Sequence, residues 1–118
     1  VEAHGMYLEV MSGLDAATLE RTALAAKAAG ALCVRAACLG GRRYENFATA
    51  GEWAEFVAKS RALVAQAVRV AEKAGIPLAL ENHKDWTAEE MAALLKEYSS
   101  PMLSACLDTG NNMSLLDD

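Results

Sequence analysis

Short apolar runs alternate along this chain with longer segments in which apolar residues recur every three or four positions. Four of the runs have the length of a β-strand, and they cover residues 6–10, 32–39, 78–81 and 103–108. The spacing in the segments between them places apolar side chains on one face of an α-helix. The pattern therefore predicts strands and helices in alternation, βαβαβαβ.

The three predicted helices have recognisable starts. Asp15 is a suitable N-cap for the first, which is expected to end near Ala29 with Gly30 just beyond it. The longest is predicted over residues 50–73 and the third ends at Tyr98. Each of these two opens with a Thr followed three residues later by a Glu, the pattern of a capping box. The predicted buried face of the longest helix consists of Trp53, Phe56, Val57, Leu63, Val64, Ala67, Val68 and Ala71.

Alternation of this kind is typical of a parallel sheet with right-handed crossovers. One face of each strand carries small or polar side chains: Glu81 shares its face with Ala79, and Asp108 shares its face with Ser104 and Cys106. The other face carries larger aliphatic residues, which suits the helix-covered outside of a (β/α)₈ barrel. A helix after every strand also fits an open doubly wound sheet, but this distribution of side chains favours the barrel, of which four strands make half. We therefore expect a single α/β domain over residues 1–118, a half TIM barrel whose N- and C-terminal parts are absent.

Composition narrows the functional classes. The 118 residues are 53% hydrophobic and 23% charged, which is typical of a globular domain, and the formal net charge of −5 argues against a general nucleic-acid or anionic-membrane binder. No apolar run reaches the roughly 20 residues that a membrane helix needs. Cys33, Cys38 and Cys106 lack zinc-type spacing and are predicted to be reduced, buried thiols in a cytoplasmic protein.

The candidate chemistry lies where the third and fourth strands end. Leu80-Glu81-Asn82-His83 closes one apolar run, and Cys106-Leu107-Asp108-Thr109-Gly110-Asn111 closes the other. Because the C-terminal ends of parallel strands meet at one mouth, Glu81 and Asp108 are two hard oxygen ligands aimed at a common point. Either alone is more typical of an ordinary strand-end carboxylate, but the pair favours a divalent metal.

At this separation the two strings resemble the xylose-isomerase-like barrel superfamily, and within it the sugar phosphate isomerase/epimerase group. The resemblance covers essentially the whole chain, as about strands 3–6 of the barrel. It implies that Glu81 and Asp108 bind one divalent cation (Mn, Mg, Co or Zn). A His and a further acidic residue would come from later strands that this sequence does not contain. Arg35 matches a strand-end Arg common in the group, and Asn111 stands where a substrate-contacting polar residue is usual.

Several of these residues have structural alternatives. Arg35 could bind a substrate anion or form an ion pair with Glu9 or Glu81, because a buried Arg needs a partner. His83 could contact substrate or be satisfied by backbone, and Asn111 could contact substrate or make an Asx turn. Arg42 and Arg43, in a loop over residues 40–46, could grip a phosphate, although a solvated loop is the simpler interpretation. Residues 84–86 are predicted to form an exposed turn, in which the Trp could shield the mouth of the site.

The resemblance implies a metal-dependent isomerase or epimerase of a small sugar, sugar phosphate or keto acid, with proton abstraction next to a carbonyl and Glu81 as the candidate base. A non-catalytic barrel module is the alternative. An endonuclease-type enzyme is disfavoured, since Asn111 stands where those relatives carry a His. The expected partners are a small sugar-type substrate and either the missing barrel strands or a second copy through open sheet edges, with no nucleic acid and no membrane.

Overall fold

Strands and helices alternate as predicted in a computed structural model that describes residues 4–115, so the outer bounds of the predicted domain lie outside the described residues. The elements are β1 (Glu9–Met11), α1 (Ala16–Ala28), β2 (Cys33–Ala37), α2 (Arg43–Asn46), α3 (Ala50–Ala74), β3 (Leu78–Glu81), α4 (Ala88–Tyr98) and β4 (Leu103–Cys106), followed by a 3₁₀ helix over Asn112–Leu115. The four strands form one parallel sheet in the order β1-β2-β3-β4. The predicted parallel βαβαβαβ architecture is thereby confirmed.

Local capping signals set the helix ends. The Asp15 carboxylate accepts a hydrogen bond from the Thr18 N–H and begins α1. Both predicted capping boxes are present, at the start of α3 and of α4. α3 ends at Gly75, whose φ of +66° lies in the left-handed region that glycine adopts without strain. These starts and stops depend on residues within one turn of each helix, which is why the sequence reveals them.

The sheet has one covered face and one open face. Val34, Ala36, Leu78 and Leu80 are buried in the core that α1, α3 and α4 form against the sheet. The opposite face carries the predicted small and polar residues, among them Cys33, Arg35 and Cys106, all of which retain some exposure. The thiols were expected to be buried; instead Cys33, Cys38 and Cys106 are free and half-buried, the first and last because the helices cover only the other face. Burial raises the pKa of all three thiols, that of Cys38 to about 11.

Three strands are shorter or shifted relative to their predicted bounds. β1 covers Glu9–Met11 rather than residues 6–10, and β2 covers Cys33–Ala37 rather than residues 32–39. β4 ends at Cys106, so Asp108 lies two residues beyond the strand. The last paired residues are Ala37 with Glu81 and Glu81 with Cys106, so β2 and β4 both end where their shared partner β3 ends.

Two connecting segments were predicted wrongly. Residues 43–46 form the helical turn α2 rather than open loop, anchored by a hydrogen bond from the Arg43 N–H to the Lys84 carbonyl. Residues 84–86 are not an exposed turn, because the side chains of Asp85 and Trp86 are buried. Trp86 packs against Trp53 and Phe56 of α3 at ring-centroid distances of 5.5 and 6.0 Å, and this apolar contact removes it from solvent.

The predicted buried face of α3 is largely correct but shifted at one position. Val64, Ala67, Val68 and Ala71 are buried, whereas Leu63 is 38% exposed. Ser60 is buried in the same helix although it is polar, and it was not part of the predicted face. Across residues 4–115, no helix combines the length and the apolar character needed to cross a membrane.

Candidate active site

Glu81 is the last residue of β3, and its carboxylate is almost completely buried next to the guanidinium of Arg35. Its Oε2 accepts a hydrogen bond of 2.6 Å from Nη1 of Arg35 on the neighbouring strand β2. The Nε of the same guanidinium lies 3.4 Å from Oε1 of Glu9 on β1. Arg35 thus bridges two carboxylates from the strands on either side of its own. The ion-pair alternative for Arg35 is observed, with both of the acidic partners that were considered for it.

Arg35 and Glu81 line a cavity of about 380 Å³ at the C-terminal ends of the strands. Its lining includes Arg35, Glu81 and His83, together with Met11 and Leu39. Three of the predicted site residues are therefore brought to one cavity. Asp108, two residues beyond β4, is not part of this lining, so within residues 4–115 the structure does not bring the second predicted carboxylate to the same cavity.

His83 is tied to the backbone of the β2–α2 loop. Its Nδ1 lies 3.0 Å from the Leu39 carbonyl oxygen, so this nitrogen carries the proton if the contact is a hydrogen bond. The interpretation in which His83 is satisfied by a backbone group therefore holds for one of its two ring nitrogens. His83 still lines the cavity, and its second ring nitrogen, Nε2, is not engaged by the Leu39 carbonyl.

A buried carboxylate, that of Asp85, joins the two loops behind His83. Its Oδ1 accepts hydrogen bonds from the backbone N–H groups of His83 (3.1 Å) and Trp86 (2.8 Å), and its Oδ2 accepts one from Leu39 (3.2 Å). Burial raises the pKa of the Asp85 carboxyl, and the hydrogen bonds from these N–H groups partly offset that rise. Asp85 therefore holds the loops at the cavity in place, a role that the sequence did not indicate.

Asp108 is exposed and begins a tight turn. Its Oδ1 accepts hydrogen bonds from the Gly110 N–H (2.9 Å) and the Asn111 N–H (3.2 Å), so the Asx turn belongs to Asp108 and not, as considered, to Asn111. The Asn111 side chain is buried, and its Nδ2 has no hydrogen-bond partner among the described residues. Such a donor calls for an acceptor from water or a ligand.

A residue with no predicted role, Asn82, connects the ends of β3 and β4. Its Oδ1 accepts a hydrogen bond from the Asp108 N–H (2.7 Å), and its Nδ2 donates to the Asp108 carbonyl (2.9 Å) and to Oδ1 of Asn112 (2.7 Å). The side chain is only slightly exposed. Its position between Glu81 and His83, both candidate site residues, was the available signal, but its partner was not evident from the sequence.

Arg42 and Arg43 serve different purposes. Arg42 pairs with Glu45 on the surface, as a solvated loop residue would. Arg43 bonds to Glu90 (2.8 Å) and lies 3.7 Å above the centre of the Trp53 ring. It lines a second cavity, of about 600 Å³, with Tyr44, Phe47 and Trp53. Because its charge is already paired, Arg43 has less capacity to grip a phosphate than an unpaired Arg would have.

The residues of this chain fit a divalent cation in kind but not in number. Carboxylate oxygens are the ligands that hard divalent cations take, and Glu81 and Asp108 offer them at the ends of adjacent strands. Arg35 already engages Oε2 of Glu81. Over residues 4–115 there is no group of three or more His, Cys, Asp or Glu side chains placed to hold a metal. A complete metal shell would therefore require ligands in addition to these two.

The family model described as a xylose isomerase-like TIM barrel matches residues 6–118. The chain belongs to this family. No curated protein matches the chain in sequence. The parallel sheet with alternating helices is accordingly part of a xylose isomerase-like TIM barrel, and residues 4–115 supply four of the eight strands that such a barrel has.

The xylose isomerase-like family covers more than one kind of chemistry. The family is largely enzymatic and commonly metal-dependent, and it includes sugar isomerases and epimerases as well as endonuclease IV. Active sites of TIM barrels lie at the C-terminal ends of the strands, which is the end where Glu81 and the cavity lie. The location of the cavity thus agrees with the architecture of the family.

Proposed function

We propose that this chain contributes Glu81 and Asp108 to a divalent-metal-dependent isomerase or epimerase acting on a small sugar, sugar phosphate or keto acid. One observation carries the proposal: Glu81 is held by Arg35 in a cavity at the C-terminal end of β3. A nearly buried carboxylate with a fixed orientation is well suited to remove a proton from a bound ligand. The substrate is therefore a small molecule that enters this mouth.

Each residue has a distinct part in the proposed reaction. Glu81 and Asp108 would hold the cation, which would supply polarisation of the carbonyl and hydroxyl oxygens of the substrate. Because Arg35 engages Oε2 of Glu81, Oε1 is the oxygen that meets the cation or accepts the proton from the carbon next to the carbonyl. Since Nδ1 of His83 faces a backbone carbonyl, its Nε2 is the candidate acceptor from a substrate hydroxyl, whereas the unpartnered Nδ2 of Asn111 is the candidate donor to a substrate oxygen. The proton is returned by a second acid outside this chain.

A non-catalytic barrel module is the second candidate. It is supported by the two ion contacts of Arg35, which already give Glu81 and Glu9 structural partners. An endonuclease-type function is less well supported, since the net charge of −5 opposes binding to a polyanion. The cytoplasmic location, which three unpaired thiols favour, stays a prediction.

Solvent deuterium exchange tests the enzymatic proposal directly. The full-length gene product is incubated in D₂O with a panel of ketoses, with and without Mn²⁺, and exchange at the carbon next to the carbonyl is followed by NMR. We expect metal-dependent exchange that falls by about 10²–10⁴-fold in Glu81→Gln, the usual effect of losing a general base. Asp108→Asn is expected to lose exchange through weaker metal binding.

The control is Glu45→Gln, which removes a carboxylate from the surface pair with Arg42 and should leave exchange unchanged. The 118-residue chain alone is expected to be inactive, because two carboxylates hold a divalent ion weakly and the second acid is missing. Metal-dependent exchange by the chain alone would show that its own residues are sufficient for the reaction. Failure of the full-length protein to exchange any ketose would favour the non-catalytic module.

A further inference from the structure

The amide of Asn82 sits at the point where regular pairing between β3 and β4 ends. Glu81 and Cys106 are the last paired residues of the two strands. One residue further along β3, the Asn82 side chain both accepts from the Asp108 N–H and donates to the Asp108 carbonyl. A side-chain amide has the same donor and acceptor as a peptide group, so it can take over where the backbone ladder stops.

These contacts fix Asp108 on both sides of its Cα. The backbone N–H and C=O are held by Asn82 at 2.7 and 2.9 Å, and Oδ1 of the carboxylate is held by two N–H groups of the following turn. An exposed residue two positions past its strand would otherwise have free backbone and side-chain rotations. Ordering it in advance reduces the entropy lost when a ligand binds.

We infer that Asn82 is a positioning residue that holds the Asp108 carboxylate in place for the metal site. This inference rests on the proposed function, since it assigns to Asp108 the metal that the proposal requires. Residues that orient metal ligands through hydrogen bonds typically change metal affinity by 10–100-fold when replaced. Asn82 also binds Oδ1 of Asn112, so it links the 3₁₀ helix to the same point.

The test measures Mn²⁺ affinity of the full-length gene product by electron paramagnetic resonance, at a temperature where every variant is folded by circular dichroism. Asn82→Ala removes both hydrogen bonds to Asp108, and we expect Mn²⁺ to bind about 10–100-fold more weakly. Asn82→Asp keeps the size and the acceptor but loses the donor. Its added negative charge would by itself strengthen cation binding, so weaker binding in this variant can arise only from a displaced Asp108.

The control for general destabilisation is Val64→Ala, which creates space in the core under α3, away from the site. It should lower the melting temperature without changing Mn²⁺ affinity. If Asn82→Ala binds Mn²⁺ as tightly as the unsubstituted protein, the positioning role is overturned. If Asn82→Ala does not fold, Asn82→Leu decides in the same way, because it keeps the size and removes both hydrogen bonds to Asp108 without adding a charge.

Hydrogen exchange separates this inference from the proposed function. If the unsubstituted protein binds no Mn²⁺, the metal part of the proposed function fails. The Asp108 amide then decides whether Asn82 orders this residue. Protection of that amide, lost in Asn82→Ala but kept in Val64→Ala, supports the positioning role, and an unprotected amide in the unsubstituted protein overturns it.

Discussion

Side chains at the mouth of this half barrel are placed mainly by hydrogen bonds to backbone. The Asp85 carboxylate accepts hydrogen bonds from three backbone N–H groups, and the Asn82 amide bonds to both the N–H and the C=O of Asp108. His83 contacts the Leu39 carbonyl. The loops after β2, β3 and β4 are thereby connected to one another without a regular sheet between them. Polar groups that are buried and paired in this way are costly to disturb, since each broken bond leaves a buried partner unsatisfied.

Asp85→Asn tests this at the most buried carboxylate. Asn can offer its single oxygen to the His83 and Trp86 N–H groups, but its NH₂ then faces the Leu39 N–H, donor against donor. Removal of a buried charge partly compensates, since burial raises the pKa of Asp85. We expect the free energy of unfolding to fall by about 1–3 kcal/mol, the usual cost of an unsatisfied buried group.

Urea unfolding of the full-length gene product at neutral pH measures this change. Asp15→Asn is the matched control, because Asn is as good an N-cap as Asp and the residue is exposed on α1. The control should unfold at nearly the same urea concentration as the unsubstituted protein. An equal midpoint for Asp85→Asn would show that the loops do not depend on this carboxylate.

Helix and strand boundaries differ in how far they depend on distant residues. The ends of α3 and α4 were predicted to within one residue, because capping boxes and the turn at Gly75 are local signals. The strands were less accurate, since β4 stops where its partner β3 stops and not where its own apolar run ends. The strands that pair lie far apart in the sequence, so local sequence patterns do not show where the pairing stops.

The candidate site shows the same division. The sequence places Glu81, Arg35 and His83 at one end of the sheet, and the structure brings these three to one cavity. The sequence did not reveal that Asp85 is a buried hydrogen-bond acceptor or that Asn82 supports Asp108, because their partners are in other loops. A polar residue within a motif does not by itself identify which backbone group it binds.

Gly75→Ala tests the junction between α3 and β3. The φ of +66° is strained for alanine, and a Cβ there would lie 2.8 Å from Nζ of Lys27, which donates to the Ala74 carbonyl. We expect the free energy of unfolding to fall by about 1–2 kcal/mol. Gly51→Ala is the matched control, because Gly51 lies in the first turn of α3 with no atom closer than 3.8 Å to its added Cβ.

The control is expected to stabilise the protein by about 0.4–1 kcal/mol, since alanine restricts the unfolded chain at a position where its helical conformation is allowed. Chemical denaturation of the two variants side by side gives opposite shifts if this account is correct. Equal shifts would mean that backbone conformation at Gly75 does not determine how α3 ends.

At the scale of the molecule, the open face of the sheet is the dominant feature. α1, α3 and α4 cover one face, whereas within residues 4–115 nothing covers the other face or pairs with the outer edges of β1 and β4, where a complete barrel has four more strands. Met11 is 68% exposed beside Arg35 on this face, and Leu107 is 75% exposed just beyond β4. Exposed apolar area of this kind favours association.

We therefore expect the 118-residue chain, expressed alone, to self-associate through its open face and strand edges, because unpaired parallel strands readily pair with another chain. Sedimentation velocity should show species larger than a monomer that increase with concentration. Met11→Lys places a charge on the open face and should weaken this association. Leu24→Lys, at an exposed apolar position of α1 on the helical side, should not. Equal effects of the two lysines would show that the open face does not drive association. A compact monomer that unfolds cooperatively would show that the four-stranded unit is stable by itself.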